Sequence, residues 1–175
     1  MDNFTNSLSF VLRWEGGYCN DANDSGGETN RGITHAVYDN YRKSKGLMCR
    51  SVRYLEEKEM QEIYQNLYWI PAKCNELPDK LACCHFDWAV NSGVNRATKT
   101  LQLAVNTATD GIWGPKSTQA LKKALKDIGE ARLITNYLAL REQMYRTWGV
   151  GSQRGFLQGW LNRTAALRTF LSSKE

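Results

Sequence analysis

The sequence has few of the residues that build metal sites and disulfide frameworks. It contains only two histidines, and its five cysteines form no Cys-x-x-Cys pair. An odd cysteine count without that spacing argues against a structural zinc site and against paired disulfides. Cys83-Cys84-His85 suggests a thiol nucleophile, but neighbours along a helix point in different directions. We therefore expect buried, reduced thiols in a protein that needs no metal and no cofactor.

Linkers and membrane segments are also missing from the sequence. Three prolines and no Ser/Gly-rich tract leave no obvious flexible linker in 175 residues, a length that suits one core or two small lobes sharing a cleft. The N-terminus, Met1-Asp-Asn-Phe4, lacks a basic region and a long apolar run. We therefore expect no signal peptide and no transmembrane segment. A substrate outside the cytoplasm would then require a separate export route.

Positive charge is concentrated in the second half of the chain. Residues 1–90 carry 10 Lys/Arg and 13 Asp/Glu, whereas residues 91–175 carry 13 Lys/Arg and 5 Asp/Glu. This imbalance of −3 against +8 suggests attraction of the second half to a polyanion such as a cell wall, a membrane surface or nucleic acid. A solvated basic helix face is the alternative explanation.

The apolar spacing is mostly helical, and strand signals are scarce. The Gly/Asp/Asn-rich run from Gly16 to Gly32 is too polar for a helix and predicts a long loop or a short hairpin. Asp79 is predicted to cap a helix that ends before Gly93, and Ile63, Tyr64 and Leu67 are predicted to face inward. The predicted helices cover Phe4–Glu15, His35–Tyr41 capped by Thr34, Leu55–Trp69, Lys80–Asn91, Arg96–Asn106, Ser117–Lys126, Gly129–Trp148 and Phe156–Leu171.

Glu15 is the most informative candidate for catalysis. It stands at the end of the amphipathic segment Phe4–Glu15, which predicts a helix, and it precedes the polar loop. Trp14 and Tyr18 would give it apolar surroundings that favour its neutral, protonated form. Such an acid, with a second and solvated carboxylate nearby, is the arrangement that cleaves glycosidic bonds. The nearest complete set is Glu15, Asp24 and Thr29: acid, second carboxylate and a hydroxyl that orients water.

Other roles for the loop stay open at this stage. Asp21 and Glu28 are rival second carboxylates, and the distance between the carboxylates, which separates inversion from retention, does not follow from the sequence. Asp21-x-Asn23-x-Ser25 resembles the start of a calcium loop, but Gly32 stands where an EF-hand needs its bidentate glutamate. A turn-rich loop without catalytic function is the remaining alternative.

Several motifs in the first half occur together in one enzyme family. Glu15-Gly-Gly-Tyr18, Asn20-Asp21, Asp24-x-Gly-Gly-x-Thr29, Gly32-Ile-Thr34, Ile63-Tyr64, Tyr68-Trp69 and Phe86-Asp-Trp-Ala-Val-Asn91-Ser-Gly93 resemble the glycoside hydrolase family 108 muramidases of phages and bacteria. The resemblance implies a mainly α, α+β lysozyme-like fold: a helical bundle with a small glycine-rich loop or β-hairpin lining the cleft. It also implies that Glu15 is the catalytic acid. Ser25 departs from the proline that family members often carry after the loop aspartate.

The second half resembles the peptidoglycan-binding region that accompanies this family. The resemblance rests on Thr100-Leu101-Gln102-x-Ala-Val-Asn106 and Asp110-Gly111-Ile112-Trp113-Gly114-Pro115. We therefore predict a catalytic region at residues 1–95 and a peptidoglycan-binding-like helical region at residues 96–175 packed against it. Tyr18, Trp69, Asn91 and Trp113 are the candidate substrate contacts; the alternatives are a core position for Trp69, a helix cap for Asn91 and a purely structural turn at Trp113.

These observations together predict a lysozyme-type enzyme. The expected reaction is cleavage of the β-1,4 bond between N-acetylmuramic acid and N-acetylglucosamine in peptidoglycan glycan strands, in cell lysis or in wall remodelling for protein release. We expect a monomer, made in the cytoplasm and released to the periplasm or cell wall by a holin-like or secretion route. One alternative is a non-catalytic wall-binding module with the same fold. A basic nucleic-acid-binding protein is the second, which no recognised motif supports.

Overall fold

The structure is a computed structural model that describes residues 2–20 and 27–173. It is 72% helical, with seven α-helices and one two-stranded antiparallel sheet among the described residues. This confirms the predicted mainly α, lysozyme-like fold. The chain divides into two compact units, Met1–Leu67 and Tyr68–Glu175. Among the described residues, no helix has both the length and the apolar character of a membrane span.

The first unit holds three helices and the sheet. Thr34 caps α2 by accepting a hydrogen bond from the backbone N–H of Val37 at 3.3 Å, as its position before the helix predicts. Gly46 follows the last turn with a φ of 69°, a conformation that glycine adopts without strain. The elements are α1 (Asn3–Val11), β1 (Thr29–Asn30), β2 (Ile33–Thr34), α2 (His35–Ser44), a 3₁₀ turn (Val52–Tyr54) and α3 (Glu57–Tyr64).

The inward face predicted for α3 is only partly correct. Ile63 and Tyr64 are buried, but Leu67 is exposed. After Tyr64 the chain changes to a π-helical turn, Gln65–Trp69. A π turn closes i→i+5 hydrogen bonds, so it rotates the following residues away from the face that α-helical spacing predicts. The prediction for Leu67 is therefore wrong.

The second unit is a set of helices around a buried ionic cluster. Oδ2 and Oδ1 of Asp87 accept hydrogen bonds from Arg141 at 2.5 Å and from Arg163 at 2.9 Å. Burial alone would raise the pKa of Asp87, but the two guanidinium charges outweigh it and hold that pKa low. The elements are a 3₁₀ turn (Cys74–Glu76), α4 (Asp79–Ser92), α5 (Val94–Ala104), α6 (Pro115–Trp148), a 3₁₀ turn (Gly151–Gln153) and α7 (Arg154–Ser172).

The structure corrects one predicted helix boundary in this unit and confirms a predicted break between two helices. Pro78 is the N-cap of α4 and Asp79 is its first helical residue, so Asp79 is not the cap. The two helices predicted between Ser117 and Trp148 lie in α6 on either side of a kink at Gly129, whose φ of 76° and ψ of 164° are non-helical. Pro115 begins α6, where its missing N–H costs no helical hydrogen bond.

All five cysteines are unbridged thiols. Cys74, Cys83 and Cys84 are buried, whereas Cys19 and Cys49 are exposed. The expectation of buried thiols is therefore correct for three of them and wrong for the other two. Burial raises the pKa of the Cys74 and Cys84 thiols well above the ordinary range, which keeps them protonated and unreactive.

Candidate active site

Glu15 lies just beyond the end of α1. That helix buries Leu8, Phe10 and Val11, and its chain continues in a turn in which the N–H of Glu15 donates to the carbonyl oxygen of Val11 at 3.3 Å. The buried face of the helix therefore anchors the backbone from which Glu15 projects. Glu15 itself is half-buried. A carboxylate in this position is both anchored and reachable by solvent.

A two-residue hairpin turn forms the surface against which the Glu15 carboxylate rests. Arg31 and Gly32 connect β1 to β2 with φ values of 49° and 74°, as a type I′ turn requires. A methyl group added to Gly32 would lie 2.8 Å from Oε2 of Glu15 and 2.7 Å from the hydroxyl of Tyr64. That hydroxyl donates to the carbonyl oxygen of Arg31 at 2.7 Å. The acid, the hairpin turn and α3 therefore meet at Gly32, where only a hydrogen atom fits.

Sequence reasoning did not assign a role to Tyr64 or Gly32 at this site. Tyr64 was expected as an inward residue of a helix, which is correct, but its hydroxyl also ties α3 to the hairpin turn. Gly32 was one residue of a motif. The sequence signal that could have found it is its place in a two-residue turn between Thr29-Asn30 and Ile33-Thr34, where a positive φ is required.

Thr29 is placed on the first strand of the hairpin. It pairs with Thr34 across the sheet and exchanges two backbone hydrogen bonds with Cys19, at 2.8 and 2.9 Å. Within the described residues no protein group bonds to its hydroxyl. Asp21 and Asp24 lie outside the described residues.

Glu28, the third candidate for the second carboxylate, is engaged in local hydrogen bonds. Its Oε2 accepts from the Ser51 hydroxyl at 2.6 Å and lies 3.2 Å from Nδ1 of His35. These two hydrogen bonds, that of Ser51 first, lower the pKa of Glu28. The carboxylate therefore connects β1 to α2 and to the chain before the 3₁₀ turn, and this local role accounts for its position.

Tyr18 is the exposed aromatic residue of the first unit's candidate site. Its side chain is 39% exposed, and the guanidinium of Arg53 lies 5.3 Å from its ring centroid. A cation over one face orients the ring while leaving surface for another group to stack on. This arrangement suits an aromatic residue that contacts a sugar ring.

Trp69 and Asn91 belong to the second unit and differ in accessibility. Trp69 is only 2% exposed, its indole N–H donates to Oδ1 of Asn75 at 2.6 Å, and its ring meets Phe86 edge to face. This environment favours the core position for Trp69. Asn91 is half-buried within α4 and accepts a hydrogen bond from the hydroxyl of Tyr145 at 2.5 Å. It lies inside the helix, so a cap role for Asn91 is wrong.

Trp113 follows a turn that is held from within the second unit. The Gln102 side chain accepts from the N–H of Gly111 at 2.8 Å and donates to Asp110 at 2.8 Å. Trp113 is half-buried and lines an open cavity of about 510 Å³ that includes Lys73 and Lys122. The motif around Trp113 therefore forms an ordered turn. The Trp113 ring and the two lysine side chains lie next to the open space beside it.

Within residues 2–20 and 27–173, no three His, Cys, Asp or Glu side chains are grouped to hold a metal ion. The described site thus consists of carboxylate, hydroxyl and aromatic groups.

Comparisons with known proteins agree with this chemistry. Residues 8–93 match the family model for glycosyl hydrolase 108, and residues 96–165 match the model for a predicted peptidoglycan domain. The solved structure of Brucella abortus SagA is similar over 97% of this chain and 94% of that chain, with 29% sequence identity and a TM-score of 0.77. No match is found among curated proteins. Residues 8–93 therefore form a region that matches glycosyl hydrolase 108, and together with the peptidoglycan domain that follows they support a glycoside hydrolase acting on peptidoglycan of the cell wall.

Proposed function

We propose that this chain is an N-acetylmuramidase, a lysozyme-type enzyme that cleaves the β-1,4 bond between N-acetylmuramic acid and N-acetylglucosamine. Glu15 in its neutral form protonates the glycosidic oxygen of the leaving sugar. The observation that carries this proposal is the contact of the Glu15 carboxylate with the Gly32 turn beside the Tyr64 hydroxyl. A half-buried acid held on a rigid turn is positioned for proton transfer to a bound glycan.

Asp24 and Thr29 complete the proposed reaction. Asp24 activates the water or stabilises the oxocarbenium-like centre, and the Thr29 hydroxyl orients that water. The Thr29 hydroxyl has no hydrogen-bond partner among the described residues, which supports this part of the proposal. The hydrogen bonds from Ser51 and His35 to Glu28 favour an aspartate of the loop over Glu28, with Asp21 as the rival to Asp24.

The proposed glycan contacts are Tyr18, Asn91 and Trp113. Tyr18 offers an oriented ring, Asn91 an amide, and Trp113 an aromatic wall beside Lys73 and Lys122. Trp69, predicted as a fourth contact, is a core residue of the second unit, and its burial favours that role over contact with the glycan. The enzyme acts as a monomer in lysis or in wall remodelling for protein release, after a holin-like or secretion route brings it to the wall.

Fragment analysis of digested peptidoglycan tests this proposal. Purified peptidoglycan is incubated with the wild type and with Glu15→Gln, and the fragments are identified by mass spectrometry. We expect wild-type fragments that end in reducing N-acetylmuramic acid. The rate with Glu15→Gln should fall about 100-fold or more, because general acid catalysis contributes about that factor.

Asp127→Asn is the matched control, since it removes one carboxylate charge from an exposed i,i+4 pair on α6. Its fragments and rate should equal those of the wild type. Reducing-end N-acetylglucosamine would identify a different bond. Wall binding without fragments from any variant would favour the non-catalytic module, and equal rates with Glu15→Gln would exclude Glu15 as the acid.

A further inference from the structure

A chain of hydrogen bonds in the second unit leads from the buried ionic cluster to Asn91. Arg141 and Asp87 are fully buried and pair at 2.5 Å. Nε of Arg141 donates to the hydroxyl of Tyr145 at 3.0 Å, and this hydroxyl lies 2.5 Å from Oδ1 of Asn91. Asn91 is half-buried, so the chain connects the core to a side chain that solvent reaches.

The chemistry of each group fixes the direction of these hydrogen bonds. Arginine has donors only, so the Tyr145 hydroxyl accepts from Arg141. That hydroxyl donates its single proton to Oδ1 of Asn91 at 2.5 Å, which leaves Nδ2 of Asn91 as the donor that can bind another group.

The Tyr145 ring is held as firmly as its hydroxyl. It packs edge to face on Trp88, with ring centroids 5.2 Å apart, and stacks on Trp160 at 5.3 Å. The hydroxyl therefore has one position, and the Asn91 amide has one orientation. In the part of the chain that the structure describes, no group accepts a hydrogen bond from Nδ2 of Asn91. Nδ2 is also not one of the buried polar atoms that lack a hydrogen-bond partner.

We propose that Asn91 donates from Nδ2 to the carbonyl oxygen of a glycan N-acetyl group, and that Tyr145 and Arg141 are the positioning residues that orient this donor. An N-acetyl carbonyl is the acceptor that both sugars of the proposed substrate carry. The inference rests on the glycan substrate proposed above. It assigns to the buried cluster a role in substrate recognition, since a fixed amide loses less entropy when it binds.

Binding to defined glycan strands tests the donor directly. The strands are prepared in fully N-acetylated form and with free amines on the glucosamine units, and all affinities are measured in the Glu15→Gln background. Asn91→Asp keeps the oxygen that Tyr145 needs but replaces the donor by an acceptor. We expect it to bind N-acetylated strands about tenfold more weakly and to lose the preference for them.

Tyr145→Phe tests the positioning role, because it removes the hydroxyl and keeps the ring among Trp88 and Trp160. With Glu15 present it should raise KM about fivefold and change kcat less than twofold, since it affects a binding contact. In an Asn91→Ala background, Tyr145→Phe should have no further effect on affinity.

Tyr137→Phe is the matched control. It removes a buried hydroxyl of the same helix, one that bonds to Nδ1 of His85 at 2.9 Å. It should lower Tm about as much as Tyr145→Phe and leave affinity and KM unchanged. Equal affinities for the two tyrosine variants would overturn the positioning role, and wild-type preference in Asn91→Asp would overturn the donor. A wild type that binds strands but yields no fragments would refute the muramidase proposal alone, because these affinities require no cleavage.

Discussion

Gly32 lies where the candidate acid meets the hairpin turn, and the need for a residue without a side chain there can be tested separately from the need for its backbone conformation. Gly32→Ala would place a methyl group 2.8 Å from the Glu15 carboxylate and 2.7 Å from the Tyr64 hydroxyl. We expect the rate of peptidoglycan cleavage to fall about 100-fold, because a displacement of about 1 Å at the reacting group has that effect. Turnover of purified peptidoglycan measures it.

Gly46→Ala provides the control for backbone strain at Gly32. Gly46 has a similar φ of 69°, and a methyl group there meets no atom within 4 Å. Both variants should lose about 1 kcal/mol of stability from a left-handed alanine, whereas only Gly32→Ala should lose activity. A similar activity in the two variants would mean that Gly32 does not position Glu15.

His85 makes stability depend on pH in a narrow window. Burial lowers the pKa of His85 from 6.5 to about 4, so the folded protein keeps this ring neutral where the unfolded chain protonates it. The contribution of the neutral His85 ring to the free energy of unfolding is complete above pH 6.5 and is lost as the pH falls toward 4. At a pH of about 5 the loss should be about 2 kcal/mol.

Denaturant unfolding at pH 7.5 and pH 5 measures this effect, with His85→Gln as the comparison. Glutamine has no titration in this range and can still bond to the hydroxyl of Tyr137, which lies 2.9 Å from His85. Its stability should change less between the two pH values. An equal change in both proteins would assign the pH dependence to other groups.

Residues whose role depends on nearby sequence were predictable, and those whose role depends on distant partners were not. Thr34 was expected as a cap because the helix it caps begins at the next residue. Asp87, Arg141 and Arg163 gave no sequence pattern, because they are brought together across 54 and 76 residues. Asn91 was a candidate from sequence, but the orientation of its amide follows only from Tyr145.

At the scale of elements, α6 shows what a single glycine does to a long helix. Gly129 has φ 76° and ψ 164° inside Pro115–Trp148, a conformation that is essentially restricted to glycine. We expect Gly129→Ala to lower the free energy of unfolding by about 2 kcal/mol, from strain at this bend. Thermal unfolding followed by circular dichroism measures the change.

Gly159→Ala gives the opposite expectation in a regular helix. Gly159 lies in α7, is exposed, and has open space where a methyl group would be added. Alanine there should raise stability by up to about 1 kcal/mol, because glycine is a poor helix former. Stabilisation by both substitutions would show that the bend at Gly129 is not imposed by its backbone.

Helix ends were the most predictable feature of the secondary-structure elements wherever neighbouring residues determine them, as at Thr34 and Gly46. The break predicted before Gly129 is present, because the φ and ψ of Gly129 are non-helical inside Pro115–Trp148. Leu67 was misplaced because apolar spacing assumes a constant helical period, and the π turn Gln65–Trp69 breaks that period.

At the scale of the whole molecule, the uneven charge predicts how the enzyme responds to salt. Residues 91–175 carry a net charge of +8. We expect the affinity of the Glu15→Gln protein for purified peptidoglycan to fall several-fold between about 50 mM and about 500 mM NaCl, since salt screens exposed charges. Sedimentation with the insoluble wall measures it, and uncharged chitin is the control matrix. If the affinity for the wall did not depend on salt, the basic half would not contribute to wall binding through its charge.

The family matches and the compact units divide the chain at different places. The two family models meet between residues 93 and 96, whereas the compact units meet between Leu67 and Tyr68. Helix α4, which carries the Phe86–Gly93 motif, packs with α5 and α6. Contacts between elements far apart in sequence decide which elements form one compact unit, and composition alone does not reveal these contacts. The division near residue 95 and the monomeric state stay predictions.

The five free thiols make this protein convenient to study in solution. Cys74, Cys83 and Cys84 are buried, so a maleimide dye should react with Cys19 and Cys49 alone. In Cys49→Ser, a single fluorophore would then stand on Cys19, directly opposite Thr29 in the β-bridge. The native chain thus carries its own attachment point for an optical reporter beside the hairpin, and binding of glycan strands could be followed there in real time.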